Sequence, residues 1–323
     1  MQIITGHNEP TPSRWAKGVA ATVGMFDGVH RGHLLLLRRL EEYARKRGLE
    51  PLAVTFANHP LSVVAPERAP HLLTGVAARL YLLEQAGLEN CLLLEFTPAL
   101  RTLDAVEFLR ELKRRMPLKA LVAGFNNRIG SAGGPSLEQA AAMEGIDLLR
   151  AEGLEAGGEP ISSSRVRGLL ENGDVEKANV LLGRCYTLRG IVGHGKELGR
   201  RIGFPTANLQ PVEADKLLPG FGVYACMAEI EGFPADIFKA VVNIGSNPTV
   251  DTAPDCKIEA HILGIDKSVD LYGRRVTLRF AGRLRDERRF ESVEMLASQI
   301  VLDIDRCTEL IDNLKTPDYR PIP

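Results

Sequence analysis

The sequence predicts an α/β domain with a mostly parallel sheet, followed by a second domain of short strands and a closing helix. Up to about residue 150, apolar strand-like runs alternate with helical runs. From Tyr186 onward, strand-like runs follow one another with turn signals and few long helices between them. At 323 residues the chain is long enough for two domains. We place their boundary between residues 183 and 184, giving domains 1–183 and 184–323.

In the first domain the alternation predicts a parallel sheet covered by helices on both faces. Strands are predicted at Val19–Val23, Leu52–Phe56, Cys91–Phe96, Lys119–Gly124 and Ile146–Arg150, and helices at Leu34–Lys46, Val76–Gln85, Asp104–Arg114 and Ser136–Glu144. Ligands of such sheets bind beyond the carboxyl ends of the strands. We therefore expect the residues after Val23, Phe56 and Gly124 to meet at one edge.

In the second half, two short helices lead into an all-β region that favours a barrel or a sandwich. The helices are predicted at Ser162–Glu171 and Asp174–Leu182, and the strands at Tyr186–Val192, Gly222–Glu231, Phe238–Ile244, Lys257–Leu263 and Arg275–Leu284. Apolar residues at a spacing of three to four between Ser292 and Leu314 predict a final helix that packs on the strands.

The composition is that of a globular protein, with 45 % hydrophobic and 25 % charged residues and a net charge of −1. This charge gives no global reason to expect nucleic-acid or membrane binding. Several arginines between 274 and 289 raise the alternative of RNA binding, but they alternate with apolar residues and lie near acidic ones. Five widely spaced cysteines, with no C-x-x-C pair, indicate reduced thiols. We expect a soluble cytoplasmic protein.

The segment Gly24–His33 carries the strongest local signal, because it joins a predicted strand to a predicted helix. It ends in His30-Arg31-Gly32-His33, of the form H-x-G-H. A helix N-terminus attracts phosphate, and two imidazoles there can donate hydrogen bonds to charge that grows during phosphoryl-type transfer. Two ordinary histidines at a helix start are the alternative interpretation of H-x-G-H alone.

Gly24–His33 closely resembles the signature of the bacterial bifunctional riboflavin kinase/FMN adenylyltransferase family, also called FAD synthetases. Other segments resemble the family's further blocks in the same order: Thr55–Pro60, Gly124–Gly130, Ile161–Arg167, Gly199–Leu209, Val242–Gly245 with Pro248 and Thr249, Glu259–His261, Asp270–Gly273 and Leu284–Glu287. The resemblance covers nearly the whole chain, and its most specific piece is Pro205-Thr206-Ala207-Asn208.

For the first domain the resemblance implies a Rossmann-like nucleotidyltransferase that joins FMN to the AMP part of ATP and releases pyrophosphate. It gives His30 and His33 catalytic roles. The implied ATP-binding residues are Gly24, Phe26, Asp27, Gly28, His30, His33, Asn126, Ser162, Ser163, Ser164 and Arg165. Simple capping of the following helix is the other interpretation of the three serines. Asn58, His59 and Pro60 would line the flavin side or form a plain turn.

For the second domain the resemblance implies a β-barrel riboflavin kinase with a C-terminal helix. Thr206 and Asn208 would hold Mg²⁺ and the phosphates, and Glu259 would be the base. Further ATP- or flavin-binding residues would be Gly195, Gly203, Pro205, Asn243 and Arg285. From the residues alone, a glutamate on a half-exposed strand is more typical of a solvated surface. Gly190–Lys196 begins like a P-loop, but Glu197 replaces the required Ser or Thr, so we interpret it as a Gly-rich loop over the nucleotide.

The third block departs from the family's pattern Asp-Phe-Arg-Phe-Gly, since Asn126, Asn127 and Ile129 replace the acid and both aromatic residues. Three hypotheses follow. The first is an enzyme that makes FMN and then FAD, with ATP as co-substrate. The second is a riboflavin kinase with a weakened or redirected adenylyltransferase domain. The third is a flavin- or nucleotide-binding regulator. Only small molecules are expected as partners, and the chain is expected to be a monomer or a weak homo-oligomer.

Overall fold

The computed structural model describes residues 1–5, 13–194, 199, 202–233, 236–246, 256–266 and 269–314. It divides the chain into two compact units, the first comprising Met1–Ser163 and the second beginning at Ser164. In the part of the chain thus described, no helix combines the length and the apolar composition needed to cross a membrane.

The first unit is built on a parallel sheet of six strands with helices on both faces. Its strands are β1 (Gln2–Ile4), β2 (Val19–Val23), β3 (Glu50–Phe56), β4 (Asn90–Leu94), β5 (Leu118–Gly124) and β6 (Asp147–Ala151). Its helices are α1 (Arg31–Arg47), α2 (Leu61–Val64), α3 (Val76–Gln85), α4 (Pro98–Thr102), α5 (Ala105–Arg115) and α6 (Leu137–Met143). Two 3-10 turns, Ser13–Lys17 and Pro66–Arg68, and a small hairpin of β7 (Glu155–Ala156) and β8 (Glu159–Pro160) complete it.

The sheet is doubly wound, as the alternating pattern predicts. Its strand order is β1-β4-β3-β2-β5-β6, and every neighbouring pair is parallel. One buried cluster joins the sheet to α5 and α6, and another joins its other face to α1 and α3. The chain winds outward from β2 in both directions, so the carboxyl ends of β2 and β5 flank the topological switch point, where such sheets bind ligands.

The second unit is a closed antiparallel barrel accompanied by helices. Its strands are β9 (Tyr186–Gly193), β10 (Ala207–Pro211), β11 (Gly222–Ile230), β12 (Ile237–Ser246), β13 (Cys256–Ile262) and β14 (Arg275–Arg285), in the order β10-β13-β12-β11-β14-β9. Its helices are α7 (Ser163–Glu171), which begins at the boundary, α8 (Val175–Leu182) and α9 (Val293–Asp312). Tyr224 and Phe280 fill the interior, edge to face at 5.4 Å.

The final helix covers the outer face of the barrel, as its apolar spacing predicts. Val223 and Val241 form a buried cluster with Cys307 of α9. The Cys307 thiol donates to the carbonyl of Ala240 at 3.4 Å. Ser292 caps the helix by accepting a hydrogen bond from the Met295 N–H at 3.2 Å.

Arg283 and Glu176 attach α7 and α8 to the barrel. Arg283 donates to the carbonyls of Asn172 and Phe221 at 3.3 Å and 2.6 Å, and its own N–H donates to Glu176 at 2.8 Å. By packing, these helices therefore belong with the second unit. The functional boundary predicted between residues 183 and 184 stays a prediction.

Candidate active sites

The turn between β2 and α1 brings His30 and His33 together at the switch point. Their rings stack with centroids 3.7 Å apart and planes inclined by 14°. His30 is the N-cap of α1, and its Nδ1 accepts a hydrogen bond from the His33 N–H at 3.3 Å. Because Nδ1 accepts this bond, a neutral His30 ring carries its proton on Nε2.

The backbone of this turn is strained. Phe26 and Val29 have φ angles of 51° and 37°, in the left-handed region, and both side chains are buried. A β-branched residue rarely adopts such an angle. Each such residue costs about 1–3 kcal/mol and persists only where the surrounding structure enforces it. The strain thus marks a turn that its surroundings hold in one conformation.

The Asp27 carboxylate lies inside the protein and binds its own chain. It accepts hydrogen bonds from the N–H groups of Leu73 and Thr74 at 3.0 Å and 2.9 Å, and from the Thr74 hydroxyl at 3.2 Å. Gly28 N–H donates to the same hydroxyl at 2.9 Å. Asp27, predicted as an ATP-binding residue, therefore anchors the turn from within.

Arg79 contacts the turn between β2 and α1 from inside the protein. It is a residue that sequence reasoning missed. It is fully buried and donates to the Phe56 carbonyl at the end of β3, and to the Met25 sulfur at 3.7 Å. Burial lowers the pKa of Arg79, and the negative charge of Asp27 opposes that shift. The only sequence signal was an arginine on the buried face of a predicted helix.

The serine block begins α7, and its first helical residue contacts the turn. The Ser163 hydroxyl donates to the Asp27 carbonyl at 2.8 Å. Ser162 is half-buried just before the helix, while exposed Ser164 and half-buried Arg165 follow in its first turn. A Cβ at Gly32 would lie 3.2 Å from the His30 ring and 3.4 Å from the Ile161 carbonyl. Glycine at position 32 therefore leaves room for the His30 ring and for the segment before α7.

The loop after β5 places Asn126 at the second side of the switch point, exposed to solvent. Its neighbour Asn127 donates to the carbonyl of Val23, the last residue of β2, at 2.6 Å. Arg150 donates to the carbonyls of Gly124 and Asn127 at 3.0 Å each. The unusual Asn127 therefore ties the loop to the strand that carries the histidines.

The segment after β3 reaches the same edge of the sheet. Asn58 donates to the Phe96 carbonyl at 2.9 Å and accepts from the Phe96 N–H at 2.8 Å, so its amide joins the ends of β3 and β4. His59 Nδ1 accepts from the Leu61 N–H at 3.1 Å, and Pro60 precedes α2. Both predicted interpretations, a plain turn and a lining of the flavin side, are compatible with this placement.

In the barrel, one row of paired residues gathers the candidate kinase residues. Asn208 of β10 lies opposite Glu259 of β13, and Glu259 lies opposite Asn243 of β12. The row continues through Val223 of β11 to Arg285 of β14. Directly paired residues present their side chains on the same face. Since Val223 packs under α9, this is the outer face of the barrel.

Two cavities open on this face and share a wall. One, of about 270 Å³, is lined by Glu259, Asn243, Arg285 and apolar side chains such as Val223, Leu296 and Ile300. The other, of about 720 Å³, is lined by residues that include Gly203, Pro205, Thr206 and Asn208. Phe204, Thr206 and His261 line both. The arrangement places a smaller pocket, whose lining combines apolar side chains with the charged Glu259, Arg285, Glu287, Arg288 and Asp303, beside a larger one.

Thr206 and Asn208 have the chemistry that Mg²⁺ prefers, because both offer oxygen ligands. Asn208 Oδ1 is buried and accepts no hydrogen bond from the residues that the structure describes. A Cβ at Gly199 would lie 3.3 Å from the Thr206 hydroxyl, so glycine keeps this space open. The buried amide oxygen fits a metal ligand.

Glu259 and Arg285 are both held by neighbouring charges. Lys257 Nζ lies 2.6 Å from Glu259 Oε1, on the same face of β13. Arg285 Nε lies 3.1 Å and 3.0 Å from the two carboxylate oxygens of Asp303, which Gln299 also contacts at 2.8 Å. Asp303 is buried on α9 and was not predicted. An aspartate on the barrel-facing side of an otherwise apolar stripe was the available signal.

Several predicted features lie wholly or partly outside the described residues. They include Gly195, Arg200 and Arg201 of the fifth block, and Pro248 and Thr249 of the sixth block. Of the P-loop-like run, Gly190–Gly193 form the end of β9, and Gly195 and Lys196 are not described.

These two sites define a nucleotidyltransferase fold joined to a flavokinase barrel, and comparison with known proteins agrees. The family model described as FAD synthetase matches residues 13–165, and the one described as riboflavin kinase matches residues 182–311. The chain is 38 % identical over 308 residues to the bifunctional riboflavin kinase/FMN adenylyltransferase of Escherichia coli strain K12, covering 94 % of this chain and 96 % of that one. For the Bacillus subtilis protein of the same description the identity is 34 %, covering 93 % and 94 %.

The chain therefore belongs to the bifunctional riboflavin kinase/FMN adenylyltransferase family. It phosphorylates riboflavin to FMN and adenylylates FMN to FAD, with ATP as co-substrate. A solved structure described as a macrolide-efflux protein from Streptococcus pneumoniae has the same fold, with a TM-score of 0.85 and 30 % identity. That match covers 95 % of this chain and 98 % of the other. The first hypothesis is confirmed, and nothing supports the alternative of a weakened or redirected adenylyltransferase domain.

Proposed function

We propose that adenylyl transfer takes place at the β2–β5 switch point, with His30 and His33 as its catalytic residues. The stacked imidazoles at the start of α1 support this most directly. The FMN phosphate attacks the α-phosphorus of ATP, and pyrophosphate leaves. His30 Nε2–H and the His33 ring donate hydrogen bonds to phosphate oxygens whose charge grows, while the helix N-terminus adds its dipole.

In this proposal the surrounding loops bind the nucleotide and the flavin. Gly24, Phe26, Asp27 and Gly28 shape the turn, and Asn126 contacts the nucleotide from the β5 side. Ser162, Ser164 and Arg165 bind the triphosphate through hydroxyl and guanidinium donors. Ser163, whose hydroxyl donates to the Asp27 carbonyl, fixes the start of α7 at this site. Asn58, His59 and Pro60 border the flavin.

We propose that riboflavin phosphorylation takes place at the wall shared by the two barrel cavities. The smaller pocket takes the flavin ring against its apolar side chains, such as Val223, Leu296 and Ile300. It directs the terminal ribityl hydroxyl toward Glu259, which accepts its proton. The oxygen attacks the γ-phosphorus of ATP, and ADP leaves. Asn243 and Arg285 orient the flavin end, and Gly195, Gly203 and Pro205 border the nucleotide. What supports this arrangement is the pairing row that places Asn208, Glu259 and Asn243 side by side.

Mg²⁺ is the metal we propose for the kinase site, with Thr206 and Asn208 as its protein ligands. When bound, it would offset the negative charge of the ATP phosphates. The buried Asn208 oxygen supports this assignment.

We further propose the domain division 1–183 and 184–323, a cytoplasmic location and a monomer or weak homo-oligomer, with no nucleic acid among the partners. Ion pairs within the chain support the last point. Arg279 pairs with Glu229 at 2.6 Å, and Arg283 with Asp286 at 2.9 Å. These arginines already have acidic partners. The five thiols, which are free, suit a reducing compartment.

One assay tests both sites, because each activity serves as the folding control for the other. The enzyme is incubated with ATP and Mg²⁺ plus either riboflavin or FMN, and the products are separated by chromatography. His33→Ala should abolish FAD formation and keep FMN formation. Glu259→Gln should lower FMN formation by about 10²–10⁴-fold and leave FAD formation from supplied FMN intact. Loss of both activities in either variant would contradict two separate sites.

A further inference from the structure

We propose that Thr74 is a positioning residue for adenylyl transfer, holding the turn from which His30 and His33 project. The inference rests on the proposed roles of these histidines. Thr74 belongs to none of the motifs in the sequence and lies 46 residues beyond Gly28. The structure nevertheless buries it directly against the turn, with 3 % of its surface exposed.

The Thr74 hydroxyl is at once a donor and an acceptor for the turn. It donates to Asp27 Oδ1 at 3.2 Å and accepts from the Gly28 N–H at 2.9 Å. The Thr74 N–H donates to the same carboxylate oxygen at 2.9 Å. A hydroxyl is the only group of this size that makes both contacts, because an alkyl group makes neither. Serine would preserve them and valine would remove both.

The contacts fall between the two strained residues. Asp27 and Gly28 lie between Phe26 and Val29, whose φ angles are 51° and 37°. Strain of this kind persists only where the surroundings over-determine the backbone. Without the hydroxyl, Asp27 keeps its two backbone donors, but Gly28 loses its contact with Thr74. The strained φ angle of Val29, the residue directly before His30, is then held less firmly, and the backbone of the turn relaxes there.

Any such relaxation reaches both imidazoles. His30 follows Val29 directly, its Nδ1 accepts from the His33 N–H, and the two rings stack at 3.7 Å. The His33 ring also packs edge to face on Phe26, with centroids 5.2 Å apart. A displacement of about 1 Å at reacting groups costs on the order of 100-fold in rate. The hydroxyl therefore acts on catalysis through the histidines, at a distance from the substrates.

The test compares Thr74→Val and Thr74→Ser with Thr97→Val as a matched control. Thr97 lies in the same unit, and its hydroxyl accepts from the Leu100 N–H at 3.2 Å to cap α4, outside the turn. For each full-length variant, kcat and KM for FMN and for ATP are measured in FAD formation. Riboflavin phosphorylation and thermal unfolding are measured on the same preparations. Thr74→Ala, assayed below its unfolding temperature, replaces the valine variant if that one does not fold.

We expect Thr74→Val to lower kcat of FAD formation on the order of 100-fold with riboflavin phosphorylation unchanged. Thr74→Ser should retain the wild-type kcat, and Thr97→Val should retain it despite a lower unfolding temperature. Wild-type kcat in Thr74→Val, equal losses in the serine and valine variants, or an equal loss in Thr97→Val would each overturn the proposal. His33→Ala is assayed alongside: full FAD formation in that variant would instead refute the proposed role of His33.

Discussion

Replacing Asp303 by alanine should destabilise the barrel unit, because it leaves the partly buried Arg285 without its carboxylate partner. Arg285 contacts both oxygens of Asp303 through Nε at 3.1 Å and 3.0 Å, and through Nη2 at 2.9 Å. The Asp303 side chain is 1 % exposed and that of Arg285 is 17 % exposed. Breaking a buried pair from one side costs about 3–5 kcal/mol. Water still reaches part of the guanidinium, so we expect about 2–3 kcal/mol.

A double-mutant cycle isolates this pair. Asp303→Ala, Arg285→Ala and the double variant are unfolded in urea, and barrel unfolding is followed by near-ultraviolet circular dichroism of its buried tyrosines. The single tryptophan, Trp15, lies in the first unit, so its fluorescence reports separately whether that unit is unaffected. The control cycle uses Lys239 and Asp312, an ion pair of 2.7 Å that also joins the barrel to α9.

The two cycles should differ because the control pair is solvated. Side chains of Lys239 and Asp312 are 30 % and 61 % exposed, and such pairs contribute about 0.2–1 kcal/mol. The coupling energy between Asp303 and Arg285 should exceed that of the control by at least about 1 kcal/mol. Equal coupling energies in the two cycles would refute the argument from burial. Riboflavin phosphorylation should fall in Asp303→Ala at urea-free conditions, since Arg285 loses its orientation.

Two further predictions concern packing and thiol chemistry. A Cβ at Gly199 would overlap the Phe204 carbonyl. Gly199→Ala should therefore displace the shared cavity wall and raise KM in FMN formation, while FAD formation from FMN stays unchanged. Unaltered kinase kinetics in this variant would contradict the prediction. Burial raises the pKa of Cys91 to about 12 and that of Cys307 to about 11. Both thiols therefore stay protonated at pH 8. They should resist alkylation by iodoacetamide until urea unfolds the chain. Mass spectrometry that finds rapid labelling of either thiol in the folded enzyme would disprove it.

The sequence predicted the architecture well where periodicity was strong. The predicted strand Val19–Val23 and the predicted helix Val76–Gln85 have the observed bounds, and the final helix packs as expected. The strand Ala207–Pro211 was missed, although it carries Asn208. It is short, ends in proline and has no continuous apolar run, so its identity as a strand depends on pairing with its neighbours.

The candidate sites were predictable only in part, because a motif identifies residues without showing how they are used. Asp27 stands within the most recognisable motif, yet its carboxylate binds Thr74 and Leu73. Arg79 and Asp303, the buried charges behind the two sites, lie outside every motif. Their roles depend on partners distant in the sequence, and a single sequence without its fold does not reveal such pairs.

The pairing row on the barrel also links folding to activity. The row draws one residue from each of the six strands, from Gly193 on β9 to Arg285 on β14. A slip of one residue in β13 would turn Glu259 to the interior and replace it by an apolar neighbour. The complete kinase site therefore requires all six strands in register together with α9, whose Leu296 and Ile300 also line the pocket. During refolding, FMN synthesis should return only when both are in place, whereas the spectroscopic recovery of β-structure does not report the register of β13.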